Sequence, residues 1–267
     1  MTEKLKIFHG LTSMPFSKMI NTNSLFESKT LKESIARLEM ALDIEDLVTI
    51  TGSSGTGKSV ILRRFADSLD TSTHPSVYIT AERYKIGELT KQILHGLKIN
   101  PPFHGYAAVR AFKLEIEKRY REKNAKPVII IDEAQELPPE TLLSLKNLTN
   151  YEMDSKSKLL IILSGHNELD ATLGMTRFES LLRRIRIRYR VYPLSLEETG
   201  RYIVHQLSTC GCRKPIFADE SIAKIFTLTQ GNISQINNMA MQALILSASE
   251  DQPIVGPMII EKVIGGI

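Results

Sequence analysis

Residues 52–59 read Gly-Ser-Ser-Gly-Thr-Gly-Lys-Ser, and no other stretch restricts the possible folds of this chain as tightly. A glycine-rich turn with this spacing can aim several backbone N–H groups at one point, which suits a chain of phosphates. Lys58 is then placed to reach the β- and γ-phosphates, and the hydroxyl of Ser59 to hold Mg2+. The helix that opens here points the positive end of its dipole at the same anion. Such a loop works only between a buried strand and a helix. Residues 47–51 supply a short apolar, β-branched run, and residues 60–69 carry apolar side chains at helical spacing. The stretch expected to contact ATP is therefore Gly52, Ser53, Ser54, Gly55, Thr56, Gly57, Lys58, Ser59 and Val60. The competing possibility, a Gly/Ser-rich linker, does not explain those flanks.

Beyond the loop, strand-like runs recur at 77–80, 128–131, 159–163 and 185–191. Helical patterns cover 30–42, 86–97, 107–122, 138–151 and a stretch closing at 180–184. Strands alternating with helices imply a parallel sheet. After Pro193 the pattern changes: 195–209, 219–229, 233–247 and 257–264 all read helical, with Ser195 and Glu198 at capping-box spacing. The expected fold is α/β, a five-stranded parallel sheet sandwiched by helices, followed by a small all-helical domain. The expected divisions are 1–46 (an irregular entry and one helix, belonging with the nucleotide domain), 47–193 for the α/β core and 194–267 for the helical domain.

The 267 residues carry a net charge of +4, which permits nucleic-acid binding without arguing strongly for it. The two cysteines, Cys210 and Cys212, have one residue between them, so a bridge would be strained. His205 adds too few ligands for a structural zinc site. A reduced pair and a cytoplasmic location follow. No apolar run approaches the ~20 residues of a membrane span, and no signal peptide is visible.

The third strand runs into Asp132-Glu133. A carboxylate at the C-terminal end of a central strand faces the ligand crevice of an open α/β sheet, so Asp132 is expected to hold Mg2+ opposite Ser59. Glu133, one residue on, is expected to polarise a water for attack on the γ-phosphate. A solvated acidic turn is the plainer alternative. After the fourth strand, His166, or else Asn167, would lie beside that water, unless it simply faces solvent. In residues 183–190 arginines alternate with Ile185, Ile187 and Tyr189. As a strand, this puts Arg184, Arg186, Arg188 and Arg190 on one face. That face is either solvated or carries Arg184 into a neighbouring subunit's nucleotide as an arginine finger.

With these elements in place, the chain resembles an AAA+ ATPase, and more narrowly the ExeA/GspA-type ATPases and the related transposition regulators of the TniB, TnsC and MuB kind. The resemblance rests on Phe8-His9-Gly10-Leu11 with Pro15-Phe16-Ser17, on GSSGTGKS, and on IIIDEAQELP at 129–138. It continues through LLIILSGHNEL at 159–169, LLRRIRIRYRVYPLSLEET at 181–199 and LTQGNISQINNMAMQAL at 228–244. It implies ATP hydrolysis, with Lys58, Ser59, Asp132 and Glu133 in the roles given above, His166 at the sensor position and Arg184 as the finger. It also implies a departure. Ser234 stands where relatives place a sensor arginine in the helical lid, so turnover is expected to be slow.

Secretion-type relatives carry a membrane segment and an extracytoplasmic portion after the ATPase, and neither is seen in these 267 residues. The resemblance therefore implies a transposition helper that assembles into a ring or filament on double-stranded DNA, recruits a transposase, and disassembles on hydrolysis. By the same analogy Arg83, Lys85 and Arg110 are candidate DNA contacts. A secretion-associated ATPase and a protein-binding nucleotide switch are the alternatives.

Overall fold

The structure, a computed structural model, describes residues 2–17 and 20–265. In chain order the elements are α1 (Thr2–His9), α2 (Lys29–Ile44), β1 (Leu47–Thr51), α3 (Lys58–Ser68), β2 (Ser76–Thr80), α4 (Ile86–Gly96) and α5 (Gly105–Lys123). Then come β3 (Val128–Asp132), α6 (Pro139–Leu148), β4 (Leu160–Gly165), α7 (Asn167–Leu173), α8 (Glu179–Leu182) and β5 (Ile187–Arg190). The chain ends with α9 (Leu196–Thr209), α10 (Asp219–Thr229), α11 (Ile233–Ser249) and α12 (Pro257–Gly265). The described residues fall into two compact units: one of residues 32–54 and 58–191, the other of residues up to Leu31, Gly55–Gly57 and Tyr192 onward.

The first of these units is the expected α/β sandwich. Its five strands are all parallel, in the order β2-β3-β4-β1-β5. Strands β1, β3 and β4 are buried along their whole length, whereas the edge strands β2 and β5 are partly exposed. This is why the central three read as continuous apolar runs. Leu47, Ile129, Ile131, Ile161 and Leu163 share one core with Leu89, Ile93, Phe112, Ile116 and Leu145 of the helices. The alternate residues Val48, Ile50, Ile130 and Ile162 are equally buried, so both faces of the sheet are covered. Helices α4 and α5 cross at their N-terminal ends through paired glycines. A Cβ on Gly87 would sit 2.6 Å from the Cα of Gly105.

The strand expected at 185–191 forms only over Ile187–Arg190. Arg184 lies before it, two residues past α8, so it does not share a strand face with Arg188 and Arg190. Its guanidinium is instead taken up by the end of α6, as described below.

The second unit is helical, and its core joins Leu194, Ile203, Leu207, Ile225, Ile236, Leu244 and Ile260 to Leu5, Leu11 and Phe16. The entry segment thus packs with the helical unit rather than with the sheet, and it opens with a helix over Thr2–His9 where an irregular path is expected. Eight residues are too few for periodicity to declare a helix, and at that length packing supplies the stability. His9 is buried, its Nε2 lying 3.1 Å from the Leu244 carbonyl, and burial pushes the imidazole below its ordinary pKa. Thr12 Oγ1 donates to the Cys210 carbonyl at 3.0 Å. Cys210 and Cys212 are both buried free thiols. No helix among the described residues is long and apolar enough to cross a membrane.

Candidate active site

The phosphate loop follows β1 directly and feeds α3. Gly55 and Gly57 have φ of +78° and +101°, a region that glycine enters without steric cost and in which successive N–H groups converge. Gly52 N–H donates to the Gly165 carbonyl at 3.3 Å, which moors the start of the loop to the end of β4. Lys58 is buried beneath the loop. An ammonium has three donors, and here they face the Gly52 carbonyl at 2.7 Å, the Ser53 carbonyl at 3.0 Å and His166 Nδ1 at 3.3 Å. Burial lowers its pKa, opposed by the nearby charges of Glu133 and Asp132. Ser59 opens the exposed side of α3.

Asp132 ends β3 and is buried. Its Oδ1 accepts from Ser164 Oγ at 2.7 Å and from the Glu133 N–H at 3.0 Å, and its Oδ2 from the Tyr78 hydroxyl at 2.8 Å. Burial and the Asp132 contact raise the Tyr78 pKa, so the phenol stays a donor. Glu133 turns out of the strand with φ +54°, a left-handed conformation uncommon for a side-chain-bearing residue. That turn takes its carboxylate out of the core, to 36% exposure. Oε2 accepts from Gln135 Nε2 at 2.6 Å and lies 3.2 Å from His166 Nε2. His166 therefore bridges Lys58 and Glu133. Its Nδ1 faces an ammonium and must accept, so the ring proton sits on Nε2. Asn167, the other candidate after β4, reaches Ser53 Oγ at 3.5 Å.

Lys58, Asp132, Glu133 and His166 thus gather at the C-terminal ends of β1, β3 and β4, where ligands bind open parallel sheets. Among the described residues, no group of three His, Cys, Asp or Glu side chains could enclose a metal ion. One carboxylate and one hydroxyl instead suit Mg2+, which keeps water and substrate oxygens in its shell. Three participants escape a reading of the sequence: Tyr78, Ser164 and Gln135. Their signal is the strand order. β3 and β4 pair through Ile131 and Leu163, so the next residues, Asp132 and Ser164, meet side by side.

Residues 43–173 match the family model described as an AAA domain. That match spans just under half of the chain. Over 242 residues it is 31% identical to general secretion pathway protein A of Aeromonas hydrophila, a match covering 89% of this chain and 44% of that protein. The chain thus spans less than half the length of that relative. Among solved structures it is similar to Cdc6p from Pyrobaculum aerophilum (TM-score 0.73, 17% identity, 94% of this chain and 70% of that one). It is also similar to the Drosophila ORC bound to DNA (TM-score 0.67, 13% identity, 98% and 65%) and to the Thermotoga maritima RuvB Holliday junction branch migration motor (0.60, 15%, 90% and 69%). At these identities the solved structures speak for the fold alone, which is the α/β fold of AAA+ ATPases.

Of the remaining candidates, Arg184 is held at the end of α6, Arg83, Lys85 and Arg110 are exposed, and Ser234 meets the phosphate loop. Arg184 Nη1 donates to the Lys146 carbonyl at 3.1 Å and to Thr149 Oγ1 at 3.0 Å, capping the C-terminal end of α6. Arg183, its neighbour, is exposed and pairs with Glu179 at 2.6 Å. Arg83, Lys85 and Arg110 are all exposed. Ile86 and Arg110 line one groove of about 560 Å3 between α5 and α6. In the helical unit, the Ser234 N–H donates to the Gly55 carbonyl at 3.1 Å.

Proposed function

We propose that this chain hydrolyses ATP slowly with Mg2+, and that the ATP state assembles on duplex DNA to regulate transposition. The observation that carries hydrolysis is the placing of Glu133 one residue beyond Asp132, turned out of the core and within reach of the His166 that touches Lys58. In this reading Gly52–Gly57, Lys58 and Val60 bind the phosphates, and Ser59 and Asp132 hold Mg2+. When bound, the metal neutralises charge that develops on the phosphates. Glu133 takes a proton from a water whose oxygen forms the new bond to the γ-phosphorus. The bond to the bridging oxygen breaks, its electron pair leaves on ADP, and the proton passes on to the released phosphate. His166 steadies the base and the lysine. Arg184, anchored to α6, is the residue offered to a neighbouring subunit's nucleotide. Ser234 in place of an arginine favours slow turnover.

The DNA reading is supported by the exposed Arg83, Lys85 and Arg110 and by the resemblance to transposition regulators read from the sequence. Phosphate contacts of this kind give affinity that is largely independent of sequence and sensitive to salt. Self-assembly into a ring or an open helical filament, a transposase partner and a cytoplasmic location belong to the same reading. The 31% identity to general secretion pathway protein A favours a second one, a secretion-associated ATPase.

Electron microscopy with ATP and duplex DNA separates the two. Rings or filaments on DNA whose affinity falls with salt are expected for the first. Absence of any assembly, together with salt-independent binding, sinks it. Hydrolysis is checked separately. Glu133→Gln should slow phosphate release by about 10²–10⁴-fold while ATP still binds.

A further inference from the structure

Gln135 belongs to none of the roles assigned above, yet both ends of its side-chain amide are hydrogen-bonded at the site. Its Nε2 donates to Glu133 Oε2 at 2.6 Å and its Oε1 accepts from the His166 N–H at 3.1 Å. The two contacts fix the orientation of the amide. Rotated by half a turn, it would set NH2 against the His166 N–H and its oxygen against a carboxylate, leaving two repulsive contacts. The space that Gln135 uses is reserved by Gly165. A Cβ at position 165 would stand 2.5 Å from Gln135 Oε1.

The place of this bridge in the fold is equally specific. Backbone pairing between β3 and β4 runs to Ile131 and Leu163. Beyond that pair, side chains continue the seam: first Ser164 to Asp132 at 2.7 Å, then Gln135 to the main chain of His166. Glu133 needs such support because it stands in a left-handed conformation past the end of its strand, with no ladder to hold it. Its Oε2 is directed by Gln135 and His166 together.

We propose that Gln135 is a positioning residue for hydrolysis. It ties the carboxylate of Glu133 to the main chain at the exit of β4, so that Oε2 is held and the carboxylate presents a fixed face to the attacking water. The proposal rests on the reading of Glu133 as the base. Gln135 touches neither water nor phosphate in this role, and acts through Glu133.

Steady-state phosphate release and ATP affinity, measured on the full chain with Mg2+, test it. Gln135→Met keeps the length and removes both hydrogen bonds. A displaced base loses on the order of 10²-fold in rate, so kcat should fall by that factor while ATP affinity stays at the wild-type value. Gln135→Glu keeps the acceptor for the His166 N–H but loses the donor to Glu133, and should be equally slow. It decides the matter if Gln135→Met fails to fold, which loss of ATP binding would reveal. In a Glu133→Gln background, Gln135→Met should cost little further, because the carboxylate it positions has gone. Wild-type kcat in Gln135→Glu overturns the proposal, as does an undiminished further loss in the double variant. Wild-type turnover in Glu133→Gln alone overturns the base assignment instead, and is recognised because it appears without any change at Gln135.

Discussion

Two lysines are buried to nearly the same degree at opposite ends of one sheet, Lys58 at 6% exposure and Lys126 at 7%. Both are desolvated, both donate to backbone carbonyls, and both have carboxylates close by. Lys126, just before β3, donates to the Glu45 carbonyl at 2.9 Å, which also accepts from Ser157 Oγ at 2.9 Å. Burial pushes its pKa down to about 8, opposed by Asp46, Asp43 and Glu45. It pins the turn between α2 and β1 to the start of β3. Lys58 sits at the other end, under a loop of glycines whose N–H groups converge. Burying a cation is therefore not what makes a site. The difference lies in which end of the parallel strands the cation occupies, and in whether the backbone beside it offers donors to a ligand.

The sharpest way to break this comparison is to remove each lysine in turn. Lys58→Ala should lower kcat/KM for ATP by at least about 10²-fold, whereas Lys126→Ala should leave ATP affinity intact and lower the melting temperature. Equal losses of ATP affinity in the two variants would end the distinction. The next effect is pH-dependent. Lys126 titrates near 8 when folded and near its ordinary 10.5 when unfolded. Between those values the unfolded chain binds more protons, so stability should rise with pH across that window, by up to about 3 kcal/mol. Below pH 8 the penalty of the buried charge is present in full. Denaturant titrations of Lys126→Met should lack that slope.

Tyr78→Phe probes the functional end more gently. Losing the donor to Asp132 Oδ2 should raise the Mg2+ concentration needed for half-maximal turnover about 10-fold. An unchanged Mg2+ requirement would remove Tyr78 from the metal's support. The smallest effect belongs to an exposed pair outside both ends. Arg183→Ala, which breaks the contact with Glu179, should shift unfolding free energy by less than about 0.5 kcal/mol.

How much of this is legible in the sequence varies by element. β1, β3 and β4 announce themselves because strands buried on both faces must be apolar throughout. The phosphate loop does so because few residue types can adopt its conformation. Asp132 and Glu133 follow from those two facts and the rule that ligands meet strand C-termini. β5 is less legible. Its alternation of arginine and isoleucine begins before the strand does, and Arg184 is drawn away by the carbonyl of Lys146 and the hydroxyl of Thr149 at the end of α6. The short α1 is hidden for another reason, since its stability comes from packing with residues over 200 positions away, such as Leu244 beside His9.

GSSGTGKS and IIIDE, taken with their flanks, were enough to set the nucleotide-binding class and the parallel α/β core, because local conformation and strand burial impose residue type directly. The partners of those residues were not open to the same reasoning. Tyr78 on Asp132, Ser164 on Asp132, His166 between Lys58 and Glu133, and Gln135 on the main chain of His166 all depend on which strands lie side by side. That order is settled by packing across the whole domain, and hydrogen bonds between residues 31 to 108 positions apart leave no trace in local spacing.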